Sequence, residues 1–371
     1  MNWVDGVRRW VPRSLRYGLQ RYVSLTDWKL RLREKNTPLS HIVASDEDSA
    51  GAGVRFGIVA NRAQYHAHFV QACLEFGLPF RVVNLLGHNW LREAENAGCD
   101  ILLVWPEAVQ TPATRLIKER VEILERELGF PCMPSAAELW LYEDKCRVAA
   151  WLAAKGIPTP PTWVFGLRGE AEEFAATCPL PVVVKTPFGA AASGVWVVRH
   201  RSHLRRLVRQ AFGRGLLAGG GDRRDRQWGV LLVQQWIPVL KEWRLVRIGD
   251  SYFGHPKGRR GDFHSGSGVA FWDVPEPRHL DFLHAVTEAG GFRSMNVDVF
   301  EIADGQLLVN ELQAVFGASV AIDQCRVDGQ PGRFVRRGVG QWEFEAGDFA
   351  RNACANERIR DALARGLRRQ R

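Results

Sequence analysis

The chain has 371 residues, 46% hydrophobic, 25% charged and 10% aromatic, a globular composition long enough for two or three compact units. Its longest apolar runs, such as residues 101–105, fall far short of the roughly 20 residues a spanning helix needs. The net charge of +9 sits at the ends: residues 1–35 hold nine Lys/Arg against three Asp/Glu, and residues 351–371 hold seven against two. The body between is slightly acidic and lacks a basic stripe, a zinc-finger spacing or an aromatic ribonucleoprotein motif, which argues against a nucleic-acid partner.

Residues 1–50 read as a basic amphipathic segment and a linker. Val4, Val7, Val11, Leu15, Leu19 and Tyr22 recur near helical spacing among arginines, and Pro12 interrupts them. Such a segment docks on the body or on a second subunit, as in a homodimer, or lies on a membrane surface with Trp3, Trp10 and Trp28 at the interface. The run "DEDSAGAG" at 46–53 has linker composition.

From 51 to 135, strand-like runs at 54–60, 80–86 and 101–105 alternate with helical stretches, the pattern of a wound parallel α/β sheet. Gly51, Gly53 and Gly57 lie ahead of or inside the first strand. A dinucleotide fingerprint needs them after it, so that site is disfavoured.

A helix is expected over about 136–155, stopped by Gly156 and the prolines of "GIPTPP". The stretch to residue 330 is α+β. It has strands at 162–165, 181–185 and 195–198, a helix near 202–212 and a glycine-rich flexible insertion at 215–225. The strands "VLLVQQW", "EWRLVRI" and "SYFGH" follow, then a helix near 278–289 and the pair "MNVDVFEI" and "QLLVNEL". Residues 331–371 are expected to form a basic helical extension. Seven scattered cysteines without a Cys-x-x-Cys pair argue against disulfides and structural zinc. With no apolar leader at the start, a cytoplasmic protein is the expectation, peripherally attached to membrane if residues 1–35 bind one.

Three stretches carry chemistry. In "PVVVKTPFGAAASGVWVV", Lys185 ends a β-branched strand and the small-residue turn from Gly189 to Gly194 follows. An ammonium beside consecutive backbone N–H groups suits a phosphate; alone, the stretch fits a plain hairpin equally well. In "MNVDVFEIADGQLLVNELQA", Asp298 lies on one strand, and Glu311 and Gln313 share a face of the next. Three hard oxygen donors on paired strands fit a nucleotide-bound Mg²⁺, or else a solvated acidic hairpin. Asn310 would point away on a regular strand. Between these, Trp236 could back a purine, and Arg244, Arg259 and Arg260 could clamp a carboxylate or phosphate, with Glu242 and Lys257 nearby.

Taken in order, "EDKCRVAAWLAAKGIPTP", "PVVVKTPFGAAASGV", "VQQWIP", "EWRLV", "GDFHSGSG" and "VDVFEI…LLVNELQA" resemble the ATP-grasp superfamily over about residues 134–320. The branch they most resemble is that of the ribosomal-protein glutamate and D-alanyl-D-alanine ligases. The resemblance implies an ATP-grasp fold at 136–330, two α+β subdomains clasping ATP, behind the wound α/β domain. It implies that Lys145 and Lys185, forty residues apart, bind the phosphates under the Gly189–Gly194 loop. Gln235, Trp236 and Ile237 would read adenine, Glu242 would meet the ribose, and Arg244 with Arg259 and Arg260 would serve the reacting centre.

Asp298, Glu311 and Gln313 would hold Mg²⁺, a pair of ions in this family, with Mn²⁺ as substitute. The implied activity is ATP-dependent ligation of a small-molecule or peptide carboxylate to an amine through an acyl phosphate. Two departures stand out. Gln313 replaces the usual Asn, and His264 stands where the glutamate ligases have Arg; they leave open a non-catalytic nucleotide-binding or scaffold protein with the same fold.

Overall fold

The computed structural model describes residues 25–37, 39–189, 194–217, 222, 224–258, 271–316 and 324–369. The amphipathic segment to residue 24, loop residues 190–193, Arg259, Arg260 and His264 lie outside the described residues.

The first unit comprises α1 (Leu25–Asn36), β1 (Ala44–Ser45), β2 (Phe56–Val59), α2 (Ala67–Phe76), β3 (Phe80–Val83), α3 (Trp90–Asn96), β4 (Ile101–Leu103), α4 (Thr111–Arg126) and β5 (Cys132–Met133). The sheet order is β1-β3-β2-β4-β5, parallel except for the edge strand β1. Strands β2 and β4 are buried at every position, because helices cover both faces of a parallel sheet; hence their unbroken apolar runs. Helix α1 docks on this unit: Arg62 Nη2 donates to Asp27 Oδ1 at 2.6 Å, and Arg33 lies 4.8 Å from the centre of the Tyr65 ring.

The single helix expected over 136–155 is two helices, α5 (Ala136–Leu141) and α6 (Lys145–Lys155). Glu143 adopts φ 55° between them, and the Asp144 side chain caps α6 by accepting from Arg147 N at 3.0 Å. The small lobe follows: β6 (Thr162–Phe165), α7 (Arg168–Thr177), β7 (Val182–Lys185), β8 (Val195–Val198), α8 (Arg201–Ala211) and β9 (Leu231–Gln235). Its antiparallel order is β6-β9-β7-β8, and residues such as Val184, Leu204 and Val233 give it a core of its own.

The large lobe holds β10 (Lys241–Ile248), β11 (Ser251–Lys257), α9 (Pro277–Gly290), β12 (Ser294–Glu301), β13 (Leu307–Gln313), β14 (Arg326–Val327), β15 (Gln330–Gly338), β16 (Gln341–Ala346) and α10 (Arg351–Ala364). Its strands order as β13-β12-β10-β11-β15-β14, with β16 on the outside of β15. It shares one hydrophobic core with the first unit. The end of the chain corrects the expected helical extension: residues 330–346 are a hairpin around Val339 and Gly340 that widens the large sheet, and only α10 is helical. Among the described residues no helix is long and apolar enough to cross a membrane.

Candidate functional site

Lys145 opens α6, and its main-chain N–H donates to Pro187 O at 2.9 Å, which ties the helix to the turn after β7. Its Nζ donates to the carbonyl of Gly189 and stands 3.8 Å from Glu311 Oε1. Lys185 ends β7, and its Nζ donates to Asn310 Oδ1 at 2.9 Å. Burial pulls its pKa down to about 8, against the upward pull of Glu311 and with a further push down from Lys145. The two lysines therefore meet the same end of β13 from two different elements.

The loop between β7 and β8 is built at both ends on glycine. Gly189 has φ 131°, and a Cβ on Gly194 would lie 2.0 Å from Thr186 Oγ1. Thr186 N donates to Gly194 O at 2.8 Å and closes the hairpin neck.

On the large sheet Asp298 pairs with Glu311, while its neighbour Val299 pairs with Val309. Asn310 is the extra residue of a bulge, and it turns to Lys185 instead of away as a regular strand predicts. Gln313 Nε2 donates to Glu311 Oε1 at 3.0 Å. Asp298 is engaged elsewhere: it accepts from Lys257 Nζ, from Asn296 Nδ2 at 3.1 Å, and faces Arg244 Nε at 3.6 Å. Burial pushes its pKa up, but Lys257 and Arg244 outweigh that and hold it below the ordinary carboxylate range. Glu242, expected at a ribose, is buried and accepts from Lys257 Nζ at 2.9 Å. Burial lowers the pKa of Lys257, and Asp298 and Glu242 reverse the shift, so it stays charged.

The three expected metal ligands thus divide. Glu311 and Gln313 touch, while Asp298 is held by cations across the register. Among the described residues no group of three His, Cys, Asp or Glu side chains is set to hold a metal, the donors here being carboxylates and an amide. Among the described residues, Gln313 Oε1 and Glu143 Oε2 are buried oxygens without a hydrogen-bond partner, and hard oxygens of this kind suit Mg²⁺. Glu143 escaped the sequence reading because its place depends on a left-handed residue between two helices; the clue was an acid just before "DK". Burial lifts its pKa to about 7, Lys145 lowers it and Glu311 raises it.

Gln235 N donates to Pro161 O at 2.8 Å at the end of β9, and the chain then runs through half-buried Trp236 and Ile237 into β10. This segment joins the small lobe to the large one. Arg244 lies on β10 with its guanidinium carbon 5.8 Å from the centre of the Phe316 ring.

No protein-family model matches the sequence, and no curated protein matches it. Solved structures do. An ATP-grasp RimK-domain protein from Sphaerobacter thermophilus is 18% identical with a TM-score of 0.54, over 83% of this chain and 98% of that one. N5-carboxyaminoimidazole synthetase from Staphylococcus aureus, complexed with ADP, is 14% identical with a TM-score of 0.54, over 76% of this chain and 82% of that one. The biotin carboxylase domain of Hydrogenobacter thermophilus 2-oxoglutarate carboxylase is 16% identical with a TM-score of 0.53, over 72% and 65%. Two α+β lobes behind a wound α/β unit, with paired lysines against a carboxylate-bearing strand, give this chain the ATP-grasp fold.

Proposed function

We propose that the protein is an ATP-dependent carboxylate–amine ligase. The observation that carries this reading is the convergence of Lys145 and Lys185 on one end of β13, 3.8 Å from Glu311 and 2.9 Å from Asn310 respectively. Two ammonium groups beside carboxylate and amide oxygens suit a triphosphate better than a structural ion pair, since among the described residues the hydrogen-bonded partner of Lys185 is a neutral amide.

In the reaction an oxygen of the substrate carboxylate takes the γ-phosphoryl group and ADP leaves. The amine nitrogen then attacks the carbonyl carbon of the acyl phosphate, the C–N bond forms, phosphate departs and the amine releases a proton. Phosphoryl transfer needs positioning and charge neutralisation more than covalent chemistry. Lys145 and Lys185 would hold the phosphates, and Arg244, with Arg259 and Arg260 further along the chain, would orient the carboxylate and its oxyanion. Trp236 and Ile237 would back the base. Glu242 acts on the site through Lys257, which it shares with Asp298. Glu311 and Gln313, with Asp298 and Glu143 beside them, are the side chains that would hold Mg²⁺. The ion, when bound, offsets charge on the phosphates.

The test is a phosphate-release screen of carboxylates paired with amines under Mg-ATP, followed by mass measurement of the product. An amide whose mass equals the sum of the two parents less water is expected, and Lys185→Ala should reduce turnover at least about 100-fold. Full turnover in that variant, or ATP binding without product from any pair, would defeat the reading; the latter would favour a nucleotide-binding scaffold.

A further inference from the structure

We propose that the arginine face of α8, with Trp228 at its end, docks the small lobe on a membrane surface rich in anionic lipid. This goes beyond the ligase reading and does not depend on it. Between Glu173 and Asp222 the sequence holds one lysine, six arginines and no acidic residue. The slightly acidic total of the body conceals this stretch, because the offsetting acids lie elsewhere in the chain.

Helical periodicity sorts the stretch into two faces. Leu204, Leu207, Val208 and Ala211 enter the small-lobe core, so α8 lies flat on that lobe. Arg205, Arg206 and Arg209 fall within about 100° of one another on the opposite side and are exposed, with Arg214 exposed just past the helix. Among the described residues none of these four has a hydrogen bond or an ion pair. Arg201 is engaged: its Nη1 donates to Ala175 O at 2.7 Å and its Nη2 to Cys178 O at 3.0 Å, which caps the end of α7. On α7, Glu172 is taken by Arg168 of its own helix at 2.8 Å. The remaining guanidinium groups form a face of one sign.

Trp228 closes that face. Leu216 and Gln227 exchange main-chain hydrogen bonds at 2.7 and 2.9 Å, and Gly229 N donates to Ala211 O at 3.0 Å. These bonds hold Trp228 beside the end of α8 with a relative exposure of 73%. Arginines attract anionic headgroups, and a tryptophan ring sits at headgroup level. A single-stranded nucleic acid is gripped by several stacked rings, whereas among the described residues this face exposes one. The chain ahead of α1 leaves from beside the same end of the lobe: Arg226 Nη1 donates to Gly215 O at 3.3 Å, and Arg224 Nη2 donates to Asp27 Oδ2 of α1 at 3.4 Å. Residues 1–24 hold five arginines against one acid, with Trp3 and Trp10 among them. Two lipid contacts on one chain bind far more tightly than either alone.

The experiment is vesicle sedimentation of the full chain, with phosphatidylcholine alone and with about 30% phosphatidylglycerol added, beside a gel shift with single-stranded and duplex DNA. The wild type should bind the mixed vesicles at least about tenfold more tightly than the neutral ones, and about 0.5 M NaCl should remove most of that difference. Arg205→Gln, Arg206→Gln and Arg209→Gln combined should weaken the binding at least about 50-fold, at about fivefold per arginine. Arg205→Lys, Arg206→Lys and Arg209→Lys combined should retain it, since the charge is kept, and Trp228→Ala should weaken it at least about threefold. The melting temperature of each variant should stay that of the wild type, because the exchanged side chains are exposed; should the glutamine triple misfold, Arg205→Gln and Arg209→Gln singly read the fivefold loss. No preference for the mixed vesicles overturns the proposal. So does equal binding by the glutamine triple, which would leave residues 1–24 as the membrane contact. DNA binding that the triple abolishes while the vesicles stay unbound overturns it in favour of nucleic acid.

Discussion

The Lys185 ammonium is held where burial disfavours its charge, and this sets how the site responds to pH. Its folded pKa of about 8 lies below the ordinary lysine range near 10.4, so between those values the unfolded chain binds the proton and the folded chain does not. Stability from this group therefore rises as pH climbs from about 8 to about 10.4, while phosphate affinity falls. Mg-ATP affinity should drop by up to about tenfold per pH unit above 8, with proton uptake on binding. Calorimetry in two buffers of different ionisation heat reads both, and Lys185→Arg, always charged, should flatten the profile.

Lys257 works differently, as the cation shared by the buried carboxylates of Glu242 and Asp298. Lys257→Met should destabilise the protein by about 3–5 kcal/mol in urea unfolding. A loss below 1 kcal/mol would show that those carboxylates do not depend on it. Lys185 could be singled out in the sequence as an ammonium that ends an apolar strand before a small-residue turn, and Lys145 only through the resemblance to a known family. The role of Lys257 could not, because its two partners come from strands far apart in the chain.

Elements, not single residues, decide which side chains reach the cleft. One extra residue on β13 brings Asn310 to Lys185, and no alternation rule reveals a bulge, since it leaves the apolar pattern on either side intact. A left-handed Glu143 likewise divides one apparent helix in two. The β15–β16 hairpin was hidden by its arginines and glutamates, which read as a charged helix until Arg333 and Glu345 are seen opposite one another at 2.8 Å. The hairpin neck offers a test at this scale. Gly194→Ala forces a methyl into Thr186, so phosphate release should fall at least about tenfold with a lowered melting temperature, and Thr186→Gly in the same chain should restore part of both. Unchanged turnover in Gly194→Ala would show that the neck can shift at no loss.

At the scale of the molecule, the small lobe has its own core, whereas the large lobe and the first unit share one. The cleft is thus a seam between two packed bodies, crossed by Lys185–Asn310, Lys145–Gly189 and the chain at Trp236. The order of short motifs along the sequence, through their resemblance to a known family, was enough to expect this architecture. The partners that close the seam were not, being set by lobe placement. The most direct measurement is a crystal structure with Mg²⁺ and a non-hydrolysable ATP analogue. The account predicts phosphate oxygens within hydrogen-bond reach of both Lys145 Nζ and Lys185 Nζ, with the metal on Glu311 and Gln313. A nucleotide bound away from this seam, with Lys145 still on Gly189 and Lys185 still on Asn310, would contradict it.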